Sequence, residues 1–232
     1  MIFDPLYLIL VAPAMLLAAW AQWKVQSAFK KGSEMTPISG ASGAEAAAAI
    51  LQYAGLRGIH IEPTSGFLSD HYDPRAKVLR LSPDVYSGRS LSALGVAAHE
   101  AGHALQDAGG YPLLALRNSI VPLASVGSYL SWILLAAGMM LQSMNLVIVG
   151  IAAFSMTVLF QLVNLPVEFD ASARAKTLLL KLGLVRESEA PVIRRVLSAA
   201  AMTYVAATLM SVLNLAYFVI RSGLLGGRSR DD

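Results

Sequence analysis

Residues 119–165 read SIVPLASVGSYLSWILLAAGMML, then QSMN, then LVIVGIAAFSMTVLFQLVNL. Two apolar runs, Ser119–Leu141 and Leu146–Leu165, are separated by only Gln142–Asn145. Each is long enough to cross a bilayer as a helix, which takes about 20 apolar residues. So short a connection makes the pair a tight helical hairpin, with both open ends on one face of the membrane. Outward from the hairpin lie two further runs of this kind, Leu6–Trp23 and Leu197–Ile220. The expected fold class is therefore membrane α-helical, with about four transmembrane helices and a small α+β unit. Composition agrees: 56% of residues are apolar and 14% charged, against roughly 25% charged in soluble domains. That is too little charge for an ordinary soluble or disordered chain. The net charge of +3 does not point to nucleic acid, because the basic residues lie between the apolar runs. With no cysteine, disulfides, thiolate metal sites and cysteine nucleophiles are excluded.

Charge orders the spans. Asp4 precedes the first run and Lys24, Lys30 and Lys31 follow it, which suits an uncleaved anchor with its N-terminus outside. A cleaved signal peptide ending near Ala19-Trp20-Ala21 is the other reading. Residues 24–118 and 166–196 together hold 15 of the 18 Lys and Arg residues, so the positive-inside rule puts both segments in the cytoplasm. Arg221, Arg228 and Arg230 in the tail run against this order. The division that results is a 1–23 anchor, a 24–112 cytoplasmic α+β unit, a 113–165 hairpin, a 166–196 cytoplasmic helical segment, and a last span with its tail at 197–232. Such a chain is a multi-pass protein of the cytoplasmic membrane, with its chemistry facing the cytoplasm.

Within 24–112 the local signals are dense. Ser42 precedes the alanine-rich Gly43–Tyr53, which Gly55 closes: a capped helix. Ile59–Glu62 and Lys77–Leu81 read as short strands with the turn-rich Asp70–Arg75 between them. Lys77–Leu81 alternates polar and apolar residues and is a candidate to accept an extended peptide at its edge. Ser82-Pro83 reads as a cap with a first-turn proline, and Ser90 caps a helix running to about Asp107.

That last helix carries His99-Glu100-Ala101-Gly102-His103. Histidines four apart leave one face of a helix and can grip one metal ion. Glu100, rotated by about 100°, can take a proton from water that the ion activates. A catalytic zinc site has three protein ligands and one open position, and no histidine follows His103. Of the downstream acids, Glu168 and Asp170 stand where the third span emerges, at the open end of the hairpin that begins just past the His99 helix. Pro166 is expected to break the span and start a new helix, which Gly183 ends. Glu168 in its first turn is the expected third ligand. Asp170, two positions on, faces elsewhere and is either a support for a ligand histidine or a salt-bridge partner of Arg174. His71 could hydrogen-bond an oxyanion or simply bond its own turn backbone; His60 reads as a surface strand residue.

Three separated motifs, Asp70-His71-Tyr72-Asp73-Pro74, His99-Glu100-Ala101-Gly102-His103-Ala104-Leu105-Gln106 and Pro166-Val167-Glu168-Phe169-Asp170-Ala171-Ser172, occur in that order. Together they resemble the YugP-type family of bacterial neutral zinc metallopeptidases over about Ser39 to Arg174. The chain is more distantly similar to the HtpX-type and CAAX-prenyl membrane proteases, gluzincins with transmembrane helices between the histidine motif and the glutamate. Those relatives have an acid four residues after the ligand glutamate; here that position is Ser172 and the acid is Asp170. The resemblance implies zinc, a cytoplasm-facing site and peptide hydrolysis.

The expected function is an integral membrane zinc endopeptidase with one Zn²⁺ per chain. Its ligands are His99, His103 and Glu168, its base is Glu100, and its partners are a protein or peptide substrate and the lipid bilayer. The alternative is a metal-stabilised membrane scaffold or chaperone without turnover. Transport would call for charge deep in the spans, which offer only Gln161, Asn164, Asn214 and some Ser and Thr.

Overall fold

A computed structural model describes residues 4–66 and 69–224. Along the chain run α1 (Pro5–Ser33), α2 (Gly43–Tyr53), β1 (His60–Pro63), β2 (His71–Asp73), β3 (Val78–Leu81), α3 (Pro83–Tyr86), α4 (Leu91–Ala108), α5 (Pro112–Met140), α6 (Met144–Lys181) and α7 (Ala190–Arg221). Four of these helices, α1, α5, α6 and α7, are long and apolar enough to cross a membrane. The chain is a membrane α-helical protein with a small α+β part. It divides into two compact units: residues 1–20, 116–165 and 204–232 form the first, and residues 21–115 and 166–203 the second. The two tail arginines at 228 and 230, on which the reading of the tail turned, lie outside the described residues.

The first unit is helical throughout. Gln142, at φ 52°, turns α5 into α6, and the two helices then touch backbone to backbone. A Cβ on Gly138 would stand 2.8 Å from the Val147 nitrogen, so only glycine admits that approach. Leu135, Phe154, Val158, Tyr217 and Phe218 form the buried centre, with the Phe154 and Phe218 rings edge to face at 5.6 Å. Leu6, Tyr7 and Leu10 of α1 pack against it. Asp4 accepts a hydrogen bond from the Tyr217 hydroxyl at 2.9 Å and pairs with Arg221 at 3.5 Å. The start of α1 and the end of α7 therefore share one end of this unit. Gln142 and Ser143 of the hairpin turn line a cavity there with Phe218 and Arg221. Ile9, Leu16, Val126 and Met140 point outward, a surface that suits lipid.

The second unit is built around α4. Ser42 and Glu45 cap α2 reciprocally, as a capping box does. Ala47, Ile50, Leu79, Leu81, Leu94, Ala97 and Ala101 make the core, with Ala175 and Leu179 of α6 and Ile193 of α7. Val25 and Ala28 of α1 are buried against Val196 and Ala199. The sheet has the order β1-β3-β2, with β1 parallel and β2 antiparallel to β3.

Four local expectations need correction. The stretch His71–Asp73 is a strand, not part of a turn; the turn proper is residues 74–77, closed by Lys77 at φ 53°. The Lys77–Leu81 strand lies in the centre of the sheet, so both of its edges are already paired and it cannot accept a peptide. Ser82 precedes α3 without a side-chain cap, because its hydroxyl donates to Asp70 instead. Finally, Pro166 does not break the helix: α6 continues from Met144 to Lys181 through it. An interior proline costs about 3 kcal/mol, and here Val167, Ala171, Ala175 and Leu179, each 0% exposed, hold the helix beyond it in a packed core. Gly183, at φ +66°, follows the end of that helix as read.

Candidate metal centre

Helix α4 opens on Ser90, whose hydroxyl accepts the Ala93 amide at 3.2 Å, as an N-cap should. Its one-turn spacing stacks His99 and His103 on a single face with ring centroids 4.8 Å apart. Glu168 comes from α6 and meets them. Its Oε2 lies 3.1 Å from His99 Nε2 and 3.7 Å from His103 Nε2. One ligand atom from each of the three residues falls within 4.8 Å of the others. The approach depends on Gly102, between the histidines. A Cβ there would stand 2.7 Å from the Ala171 carbonyl oxygen, so the absent side chain is what lets α4 lie against the backbone of α6.

The outer nitrogens are held as well. His99 Nδ1 is 3.1 Å from the Ser172 hydroxyl, and His103 Nδ1 is 2.9 Å from Gln106 Oε1. The Gln106 amide nitrogen donates to the Val167 carbonyl and to Asp170 Oδ2, both at 2.8 Å. Arg174 Nε donates to the same Asp170 oxygen at 2.6 Å. Asp170 therefore pairs with Arg174 and is linked to His103 only through Gln106. With Nδ1 occupied on each ring, the Nε2 atoms face Glu168, and outer hydrogen bonds of this kind orient metal-binding histidines.

The donor set fits a cation. Glu168 is 3% exposed and Glu100 is 9% exposed, and the ion partners of Glu168 among the described residues are the two histidines. Burial alone would push the His103 imidazole down, but Glu168 and Glu100 outweigh it and raise it. The site therefore favours positive charge. Two imidazoles and a carboxylate suit zinc and leave room for a fourth, non-protein position.

Glu100 projects from α4 beside this group, and its charge is felt by Asp70 as well as His103. Asp70 is pushed up chiefly by burial, while two hydrogen bonds from Ser82, at 2.7 Å from its amide and 3.0 Å from its hydroxyl, pull it back. His71 stands apart from the cluster. It is exposed, its Nδ1 lies 2.8 Å from the Ser69 carbonyl, and its Nε2 is 3.4 Å from Arg80. His60 is exposed on β1. Tyr72 and Lys77 instead reach α4, where both bond Asp107, at 2.7 and 2.6 Å. Gly102, Gln106 and Ser172 are the site residues that sequence reasoning missed. For Gln106 the signal was present, since three residues past His103 puts it on the same helical face.

The family model described as "Putative neutral zinc metallopeptidase" matches residues 7–223. The chain is 48% identical to "Putative membrane protease YugP" of Bacillus subtilis (strain 168) over 215 residues, 93% of this chain and 96% of that protein. No solved structure matches. A match across nearly the whole chain, spanning the four long apolar helices and the His99, His103 and Glu168 group, makes this a multi-pass membrane protein that belongs to the neutral zinc metallopeptidase family.

Proposed function

We propose that the protein is an integral membrane endopeptidase that holds one zinc ion per chain through His99 Nε2, His103 Nε2 and Glu168. The observation that carries this reading is the meeting of those three donors from two helices, with a buried Glu100 alongside. When bound, zinc supplies a Lewis acid that polarises a peptide carbonyl and makes water acidic near neutral pH. Glu100 receives the proton that the water gives up and returns it to the departing amine nitrogen. Gln106 and Ser172 hold the rings, and Asp170 acts through Gln106. The position of His71, bonded to its own loop, supports the turn reading over the oxyanion one. With β3 paired on both sides, β2 is the strand edge nearest α4 for an extended substrate.

The charge order of the loops supports a cytoplasmic position for residues 24–112 and 166–196, and for the site with them, at the cytoplasmic membrane. The packing of Leu6, Tyr7 and Leu10 into the first unit and of Val25 and Ala28 into the second supports a retained anchor. The 113–165 hairpin and the 197–232 segment supply the remaining spans.

The test is zinc content and casein cleavage in detergent for the wild type and Glu100→Gln. The variant is expected to keep about one zinc and to lose cleavage by about 10²-fold or more. Undiminished cleavage would remove Glu100 as the base. Zinc without cleavage in the wild type would leave the metal-stabilised scaffold, and a folded wild type without zinc would end the metallopeptidase reading.

A further inference from the structure

We propose that Gln106 is a positioning residue that dictates which nitrogen of His103 carries the proton, and that Asp170 with the Val167 carbonyl dictates the orientation of Gln106 in turn. This rests on the metal-centre reading above and adds to it a direction of control running from α6 into α4.

The argument is one of donors and acceptors. A glutamine amide has the same outline either way round, so its orientation is decided by what it faces. On its far side Gln106 meets two groups, the Asp170 carboxylate and the Val167 carbonyl, each at 2.8 Å. Both accept hydrogen bonds and neither donates. The amide nitrogen, which has two protons, satisfies both. The reversed amide would set an oxygen against two oxygens with no water to intervene at the amide, since Gln106 is 0% exposed, and an unmade bond there is costly. The oxygen is therefore committed to His103, so the Nδ1 it touches at 2.9 Å must be the donor. In the neutral ring that leaves Nε2 of His103 without a proton, 3.7 Å from Glu168 and free to take a metal. A free neutral imidazole in water prefers the opposite arrangement, with its proton on Nε2. Arg174, donating to Asp170 at 2.6 Å, anchors the chain of bonds at its outer end.

His99 lacks such control from its outer side. In the metal-free site the acceptor-only Glu168 carboxylate, 3.1 Å from its Nε2, holds the proton on the nitrogen that a metal would need. Ser172, 3.1 Å from its Nδ1, is a hydroxyl that rotates and can donate or accept, so it accommodates either tautomer and selects neither. The two histidines are thus unequal, and the His103 half of the site is the one held in the metal-ready tautomer before any metal arrives.

The experiment uses the full-length protein in detergent, labelled with ¹⁵N only in histidine; the chain has four. Metal is removed and spectra are taken at alkaline pH, where imidazoles are neutral. The resonance missing in His103→Gln assigns His103. The proton is expected on Nδ1 in the wild type and redistributed toward Nε2 in Gln106→Leu. In the same pair of proteins, Zn²⁺ affinity by chelator competition is expected to fall about 10- to 100-fold. A wild-type His103 protonated on Nε2 would overturn the proposal whether or not any variant folds. So would a folded Gln106→Leu that holds Zn²⁺ within about twofold of wild type. A wild type that shows the Nδ1 proton yet binds no Zn²⁺ would sustain the relay while removing the metallopeptidase reading.

Discussion

The two units treat most of their buried polar side chains differently. In the interior of the first, they turn back mainly on their own helices: Thr208 donates to the Tyr204 carbonyl, Ser211 to Ala207 and Asn214 to Met210, at 2.8, 2.9 and 2.8 Å. Thr208 has a longer contact of 3.4 Å to the Gln161 carbonyl, and at the Asp4 end the Tyr217 hydroxyl bonds a side chain beyond its own helix. The Oδ1 atoms of Asn164 and Asn214 and the Thr157 hydroxyl have no partner among the described residues. In the second unit, buried polar groups reach across the fold. Ser92 donates to the Phe29 carbonyl at 2.7 Å, Ser82 to Asp70, and Gln106 joins α4 to α6. A polar group satisfied within its own helix fixes no tertiary geometry, whereas one satisfied across elements fixes distance and orientation together. Chemistry that depends on tenths of an ångström belongs where the second kind is found.

If this contrast is right, the most damaging changes remove or wedge apart the cross-element contacts. Glu168→Ala takes away the carboxylate that meets both Nε2 atoms. It is expected to reduce zinc from about one per chain to near none, measured by elemental analysis of detergent-purified protein. Full zinc retention would move the third ligand to another residue. Gly102→Ala ranks next. The new methyl would lie 2.7 Å from the Ala171 oxygen, so α4 and α6 must separate, at about 1–3 kcal/mol of stability and with weaker Zn²⁺ binding. An unchanged melting temperature and affinity would mean that the helices yield freely there. Then the site would not be held by close packing.

The sequence disclosed these two units unequally, and the reasons are physical. Hydropathy alone located the four long helices, because a lipid-facing helix must be apolar around its whole circumference. The ligand pair on α4 was legible because helical periodicity is short-range. Glu168, 65 residues past His103, could be nominated only because the hairpin's short turn restricts where α6 can return. What local rules missed was tertiary. Pro166 reads as a breaker, yet the packed face running from Val167 to Leu179 overrides it. His71–Asp73 reads as a turn until β3 supplies its ladder. Asp70 reads as turn chemistry, but it binds Ser82 across the sheet. Gly102 had no distinguishing signal until α6 stood opposite it, and Gln106 had only its place on the His103 face of α4.

Smaller effects test the contrast more finely. Ser172→Ala removes the hydroxyl beside His99 while leaving the ring packed. Because that hydroxyl selects no tautomer, the expected loss of Zn²⁺ affinity is about tenfold at most, below the loss for Gln106→Leu. Equal losses for the two variants would erase the distinction between the histidines.

The gentlest test lies in the first unit and should go the other way. Asn164 is 5% exposed and its Oδ1 is unpartnered among the described residues, so it bears a desolvation cost of about 1–3 kcal/mol that Leu, of the same branched outline though larger, would not. Asn164→Leu is expected to match or exceed the wild-type melting temperature in detergent while zinc content stays the same. The same chemical exchange at Gln106, equally buried, is expected to cost metal affinity. A clear fall in melting temperature for Asn164→Leu would mean that this amide is satisfied in the folded protein, by water or by another chain. The membrane-spanning unit would then also be specified by polar contacts that reach beyond a single helix.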